Sequence, residues 1–347
     1  MRVLITGVTG MAGSHLAEYI LTEDDVELFA TYRWRSRMDN LEDIKRAGKL
    51  NLIGENCTIA STEYLADMLL CQAVPGKLNL IEGDMTDSCS MRRIIGAVNP
   101  DRIFHLAAQS YVPGSWSAPA ETLQRNIVGE LNVLEGAREA QTDPVILVAG
   151  SSEEYGLVLP HETPIRETNP LRPLSPYAVS KVAQEMLAIQ YFRSYGLKTL
   201  VTRAFNHTGP RRGHVFVTSN LAKQIAEIEK GLRPPVVHVG DVTSKRDWSD
   251  VRDVARAYWL AADNGEPGEV YNIGAGVARA VQEVLDILTK MARCPIKVEQ
   301  EQSRMRPSDV KILVADDSKF RKLTGWKPTI PFEKTLEDLL DYWRERC

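Results

Sequence analysis

The sequence predicts an α/β protein: a doubly wound parallel sheet followed by a smaller C-terminal lobe. Two observations predict it. Short apolar runs without two-residue alternation take turns with segments of helical periodicity, and the first run passes through a glycine-rich turn straight into the first helix. Runs of that kind are strands buried on both faces, and strand–helix alternation closes into a parallel sheet through right-handed crossovers. At 347 residues the chain is long enough for one such domain and a partner lobe.

Strands are expected at residues 3–6, 26–32, 78–82, 102–107, 145–150 and 200–204, with helices starting near Ser14, Ser90, Ala120 and Ser175. The sheet domain is expected to occupy residues 1–205, with some later segments returning to it. Residues 206–347 form mostly a substrate-covering lobe, where loops rich in Pro, Gly and Arg separate helices at 219–231, 254–262, 281–292 and 332–346. The connection over residues 33–77 exceeds the usual length for this fold. Within it, residues 63–71 read as a short amphipathic helix, and the stretch fits a lid, a subunit contact or a decoration equally well. No internal repeat is seen.

Composition excludes several classes. Hydrophobic residues are 44% and charged residues 25%, the balance of a soluble globular protein. The formal net charge of −4, with no dense Lys/Arg run, argues against nucleic acid as a partner. Cys57, Cys71, Cys89, Cys294 and Cys347 are odd in number and contain no CxxC pair, so neither a disulfide framework nor a metal site is expected, and the location is expected to be cytoplasmic. The N-terminus enters a strand at once and no apolar stretch reaches membrane length, so no signal peptide and no membrane span are expected.

The turn Gly7-Val8-Thr9-Gly10-Met11-Ala12-Gly13 lies where a dinucleotide's pyrophosphate would meet backbone and a helix N-terminus. The fold expected is therefore Rossmann-like. Its GxxGxxG spacing departs from GxGxxG in the manner of short-chain dehydrogenases. Past the second strand, where an acidic residue would grip a ribose hydroxyl, stand Arg33, Trp34, Arg35, Ser36 and Arg37. Guanidinium groups suit a 2′-phosphate, so the cofactor expected is NADP. Asp84 and Met85 end the third strand, where a carboxylate can accept from an adenine amino group. Leu106, Ala107, Ala108 and Ser110 end the fourth, where small residues let backbone lie against a cofactor.

Tyr177 and Lys181 stand four apart on one helix face. The ammonium lowers the phenol pKa, and the phenolate can then act as base toward a sugar hydroxyl, or the phenol as acid toward a carbonyl. Ser151, after the strand at 145–150, can donate to the oxygen that Tyr177 titrates. The adjacent Glu153 and Glu154 exceed what a plain reductase needs. Either could remove a carbon-bound proton beside a ketone, as loss of water requires, and either could instead be a solvated turn residue.

The stretches SSEEYG (151–156), SPYAVSK (175–181), FNHTGPRRGHVFVT (205–218), KRDW (245–248) and GWKP (325–328), with GVTGMAGSHLAEYI at 7–20 and RWRSR at 33–37, resemble the GDP-mannose 4,6-dehydratase family. The likeness covers nearly the whole chain apart from extra residues at about 51–76. It implies that NADP takes hydride from sugar C4 while Tyr177, assisted by Lys181 and Ser151, takes the O4 proton. Glu153 then removes the C5 proton, the C6 hydroxyl leaves as water, and hydride returns to C6. It places His207 and Arg212 near the cofactor together with Tyr177 and Lys181. Ser110, Ser152, Glu153, Asn206, Val217, Lys223, Arg246, Arg306 and Asp309 fall around a GDP-sugar, in a homodimer or homotetramer. Ser219-Asn220 after FVT departs from the Arg-Lys pair of the dehydratases, and residues 221–229 and 247–260, Trp116 and Glu154 resemble the reductase acting on GDP-4-keto-6-deoxy-mannose. The rival readings are thus a lyase using NADP catalytically, an oxidoreductase consuming NADPH, and a non-catalytic cofactor-sensing protein on the same fold.

Overall fold

The computed structural model describes residues 1–54, 61–301 and 312–347. In chain order it runs β1 (Arg2–Thr6), α1 (Met11–Ile20), β2 (Glu27–Tyr32), α2 (Glu42–Arg46), β3 (Leu50–Ile53), α3 (Thr62–Gln72), β4 (Leu78–Glu82), α4 (Ser88–Val98) and β5 (Arg102–His105). Then come α5 (Val112–Ser117), α6 (Pro119–Leu123), a π-turn (Gln124–Val128), α7 (Gly129–Glu139), β6 (Val145–Ala149), α8 (Pro176–Tyr195) and β7 (Lys198–Ala204). The remainder is β8 (Asn206–Thr208), α9 (Val217–Glu229), β9 (Val236–Val239), β10 (Lys245–Asp250), α10 (Val251–Asn264), β11 (Val270–Ile273), β12 (Ala278–Ala280), α11 (Val281–Met291), β13 (Lys297–Gln300), β14 (Ile312–Leu313), α12 (Ser318–Thr324) and α13 (Phe332–Arg346).

The doubly wound sheet is present, with eight strands in the order β11-β7-β6-β5-β1-β2-β4-β3. The pairs from β7 through β3 are all parallel. Winding reverses between β1 and β5, which leaves a crevice at their carboxyl ends where ligands of such sheets bind. Among the described residues no helix is long and apolar enough to cross a membrane.

The helix expected near Ala120 starts at Pro119 and runs on through α6, the π-turn and α7. No repeat is expected from the sequence, yet one short string recurs. Residues 49–53 and 77–81 both read KLNLI, and they pair in register as β3 and β4, Leu50 opposite Leu78 and Asn51 opposite Asn79. The Asn51 amide donates to Asn79 Oδ1 at 2.8 Å. Each strand leads on to a helix, and α3 sets Leu65, Met68 and Leu69 into the same core as Ile94, Ile95 and Val98 of α4. The long connection therefore carries a strand and a helix at the sheet edge. The identity stops at these five residues, and the segments that follow the two strands differ in sequence.

By contacts the chain forms two compact units: Met1–Glu154, Pro173–Arg203 and Ala255–Tyr271 in one, and Tyr155–Arg172, Ala204–Val254 and Asn272–Cys347 in the other. The second unit's core packs Leu221 and Ile225 of α9, Leu285 and Leu288 of α11, and Leu336 and Leu340 of α13 around Trp248. Two of the quoted motifs are structural here. In KRDW, Asp247 accepts from the backbone N–H groups of Ala275, Gly276 and Ala315, and burial still pushes its carboxyl up to about 6. In GWKP, Trp326 is fully buried and donates through Nε1 to Asp253 O at 3.0 Å, and the Asp253 carboxylate takes the N–H groups of Thr329 and Ile330.

Candidate active site

The glycine loop follows from close packing. Gly7 has φ +80, and a Cβ there would lie 2.7 Å from Ala107 Cα, so the turns after β1 and β5 meet backbone to backbone. A Cβ on Gly13 would lie 2.3 Å from Gly7 O. The first helical bond of this turn runs from Ser14 N to Gly10 O, which leaves the N–H groups of Met11, Ala12 and Gly13 at the helix mouth. Asn40, which the sequence reading missed, ties the loop down by donating to Thr9 O at 2.9 Å. Arg33 and Arg35 are exposed, Arg35 stacks on Trp34 with 4.4 Å from Cζ to ring centroid, and Ser36 Oγ accepts from Arg33 N. Asp84 Oδ1 accepts from both Thr86 N and Thr86 Oγ1, and the Met85 side chain lies against Gly129. Bare backbone, an open helix N-terminus and free-standing guanidinium groups together fit a phosphorylated dinucleotide.

The loop carrying Leu106, Ala107, Ala108 and Ser110 is fixed by Asn126 of the π-turn, another residue the sequence reading missed. Asn126 Oδ1 accepts from Gln109 N at 2.8 Å, and its amide donates to Gln109 O and to Ser180 Oγ on α8. The only sequence signal for it is an asparagine ahead of an apolar pair inside a helical pattern.

Helix α8 starts where its sequence says it should. Ser175 Oγ accepts from Ala178 N, Pro176 occupies the first turn, and Gly196 ends the helix at φ 73. Tyr177 is thereby in the first turn, 8% exposed, with Lys181 one turn on and 4% exposed. Lys181 Nζ donates to Ala149 O at 2.7 Å and stands 6.0 Å from the Tyr177 ring centroid. Burial pulls the Lys181 ammonium down to about 8, against the carboxylates of Glu130 and Glu154, which raise it. Tyr258 of α10 is buried, and burial together with the charge of Tyr177 raises its phenol pKa.

Ser151 and Ser152 are buried after β6, and Ser151 Oγ accepts from Glu153 N at 3.2 Å. The two glutamates separate cleanly. Glu153 is half-buried, whereas Glu154 is fully buried and its Oε1 accepts from Ser151 N at 2.6 Å. Glu154 Oε2 lies 3.6 Å from Arg203 Nε, and Arg203 forms a two-point pair with Glu185 at 2.7 and 2.6 Å. Burial first, then the nearby Glu185, raises the Glu154 carboxyl well above the usual range. Glu154 is therefore neither a solvated turn residue nor a candidate base; it braces the Ser151 turn from inside.

In the second unit, His207 Nδ1 is bonded to Phe205 O at 3.0 Å, and burial plus the Arg212 cation push the imidazole down to about 4. Arg212 stacks on Phe216 at 3.5 Å. Asn206 and Arg246 are half-buried and Val217 is exposed. Lys223 pairs with Glu227 at 3.5 Å on its own helix. Arg306 and Asp309 lie outside the described residues.

His105, in the first unit, bonds Thr6 Oγ1 through Nδ1, and burial pushes it down to about 3. Both imidazoles are thus held neutral by the fold. A lowered histidine pKa makes its stabilising contribution complete above 6.5 and removes it as pH falls toward the folded value. Stability is expected to fall by about 1.4 kcal/mol per pH unit for each imidazole below pH 6.5. Denaturant melts at pH 7, 6 and 5 check this: His105→Asn should show a shallower slope than the unmodified chain, and equal slopes would count against it.

A glycine-loop parallel sheet bearing a buried Tyr–Lys pair and a serine after the neighbouring strand defines a short-chain dehydrogenase/reductase. Within that class the chain belongs to the GDP-mannose 4,6-dehydratase family, whose model matches residues 51–339. It is 33% identical over 344 residues to GDP-mannose 4,6 dehydratase 1 of Arabidopsis thaliana, covering 97% of this chain and 88% of that one. It is 36% identical over 247 residues to the GDP-6-deoxy-D-mannose reductase of Pseudomonas aeruginosa, covering 71% of this chain and 81% of the relative. The solved structure of RMD from Pseudomonas aeruginosa complexed with NADPH superposes with a TM-score of 0.79 at 29% identity, covering 100% of this chain and 99% of that one. That of Thermus thermophilus UDP-glucose 4-epimerase with NAD gives 0.80 at 28% identity, covering 100% of each.

Proposed function

We propose that the protein converts GDP-mannose to GDP-4-keto-6-deoxy-mannose as an NADP-dependent lyase. The observation that carries this is the contrast between the two glutamates beside Ser151: the Glu154 carboxyl is fully buried and accepts from Ser151 N, whereas Glu153 is half-buried. NADP, when bound, supplies the hydride acceptor for C4 and the donor for C6. The glycine loop from Gly7 to Gly13 would hold its pyrophosphate, and Arg33, Arg35 and Ser36 its 2′-phosphate.

Tyr177 takes the O4 proton, with the Lys181 charge favouring the phenolate and Ser151 donating to the same oxygen. The resulting 4-ketone acidifies C5. Glu153 removes that proton and passes it to the C6 hydroxyl, which departs as water. Ser110, Ser152, Asn206, Val217, Lys223 and Arg246 fall around the nucleotide-sugar in this reading, and His207 and Arg212 near the cofactor. A cytoplasmic homodimer or homotetramer belongs to the same reading, as the family likeness implies.

The Pseudomonas reductase supports a second reading, NADPH-dependent reduction of the 4-keto sugar. Purified protein with GDP-mannose and no reductant separates them. A 4-keto product supports the lyase, while NADPH oxidation on the 4-keto sugar alone supports the reductase. Glu153→Gln is expected to lower water loss by about 10²–10⁴-fold while C4 oxidation persists, seen as NADPH accumulating in a single turnover. Undiminished dehydration in that variant would remove Glu153 from the base role.

A further inference from the structure

We propose that Glu130 is a positioning residue for proton transfer at Tyr177: a buried carboxyl whose negative charge keeps the Lys181 ammonium charged beside the phenol. This rests on the reading of Tyr177 and Lys181 given above. Glu130 is the second residue of α7, directly after the π-turn, and is 0% exposed. Neither of its carboxyl oxygens meets a donor at good hydrogen-bond geometry among the described residues. A carboxyl so placed carries a large desolvation cost, and packing alone requires no acid there.

The groups around it leave one role open. From α8 it faces Gln184 and the charge of Lys181, and from the turn after β6 that of Glu154. His105 of β5 stands 3.5 Å from Gln184 Nε2 and is held neutral. Arg203 is matched by its two-point pair with Glu185, and burial raises the Glu154 carboxyl well above the usual range. Lys181 is therefore the cation left for Glu130 to answer.

Burial pulls the amine down and pushes the carboxyl up, so their proton affinities approach each other. The first proton lost from the pair leaves a carboxylate facing an ammonium, and that arrangement holds the remaining proton on Lys181 to higher pH. Without the Glu130 carboxyl, only Glu154 opposes burial at Lys181, and its charge disappears sooner.

The test reads Lys181 directly in cofactor-free protein carrying 13Cε-labelled lysine, its resonance assigned by its loss in Lys181→Arg. In Glu130→Gln the Lys181 midpoint should fall by about one pH unit, and Glu130→Asp should restore most of the shift. The alkaline limb of kcat should move down with it, roughly tenfold at a fixed pH on that limb, with KM unchanged. A Lys181 midpoint in Glu130→Gln equal to that of the unmodified chain overturns the proposal. If Glu130→Gln does not fold, Glu130→Ser gives the same reading. The titration needs no substrate, so a failure to turn over GDP-mannose would count against the proposed function and leave this inference standing.

Discussion

Tyr177→Phe lowers kcat by about 10²–10⁴-fold, the range lost when a positioned acid–base group is removed, and leaves NADP affinity and stability nearly unchanged. The ring stays, so its burial in the first turn of α8 is kept. Helix initiation does not involve the hydroxyl, because Ser175 and Pro176 supply it. The glycine loop, the Gln109–Asn126 clamp and the Lys181–Ala149 bond are likewise independent of it. What disappears is the one oxygen able to exchange a proton with the substrate's O4. Lys181→Met is a poorer probe, since it also strips a donor from Ala149 O and leaves Glu130 facing no cation. Single-turnover kinetics with calorimetric NADP binding separates the two effects. A Tyr177→Phe enzyme that turns over at the original rate would end the mechanism.

Much of this site was legible in the sequence because it sits on local signals. A glycine turn after a strand, a Ser-Pro helix start and a Tyr–Lys pair one turn apart are each written in fewer than eight residues, and the structure places all of them as expected. What escaped needed tertiary information. Asn40 bonding Thr9, and Asn126 bonding Gln109 and Ser180, are contacts across the fold, and an asparagine alone carries no such message. The Glu153-Glu154 pair shows the limit most sharply. Adjacent carboxylates look alike on paper, but a short 3-10 turn at Ser152–Glu154 sends one inward onto the Ser151 N–H and leaves the other half-buried. The KLNLI repeat was readable in principle. It carries an edge strand and no chemistry-bearing residue.

Arg203→Leu is expected to destabilise the protein by about 3–5 kcal/mol, the cost of leaving a buried partner charge uncompensated. Arg203 is 4% exposed and Glu185 1%, and the pair is held by two short bonds in the interior. Removing the guanidinium takes away the cation that both Glu185 and Glu154 face. The double replacement Arg203→Leu with Glu185→Leu removes the stranded charge and should recover a substantial part of the loss, since an apolar pair of similar volume often matches a buried ion pair. Denaturant unfolding of the two variants measures this. Equal destabilisation would mean that the shape of the side chains, and not their charge, is what the site needs. Activity supplies the independent reading: kcat per folded molecule should fall far less in either variant than in Tyr177→Phe. A collapse of kcat in well-folded Arg203→Leu would instead place Glu154 in the chemistry, through the Ser151 N–H it holds.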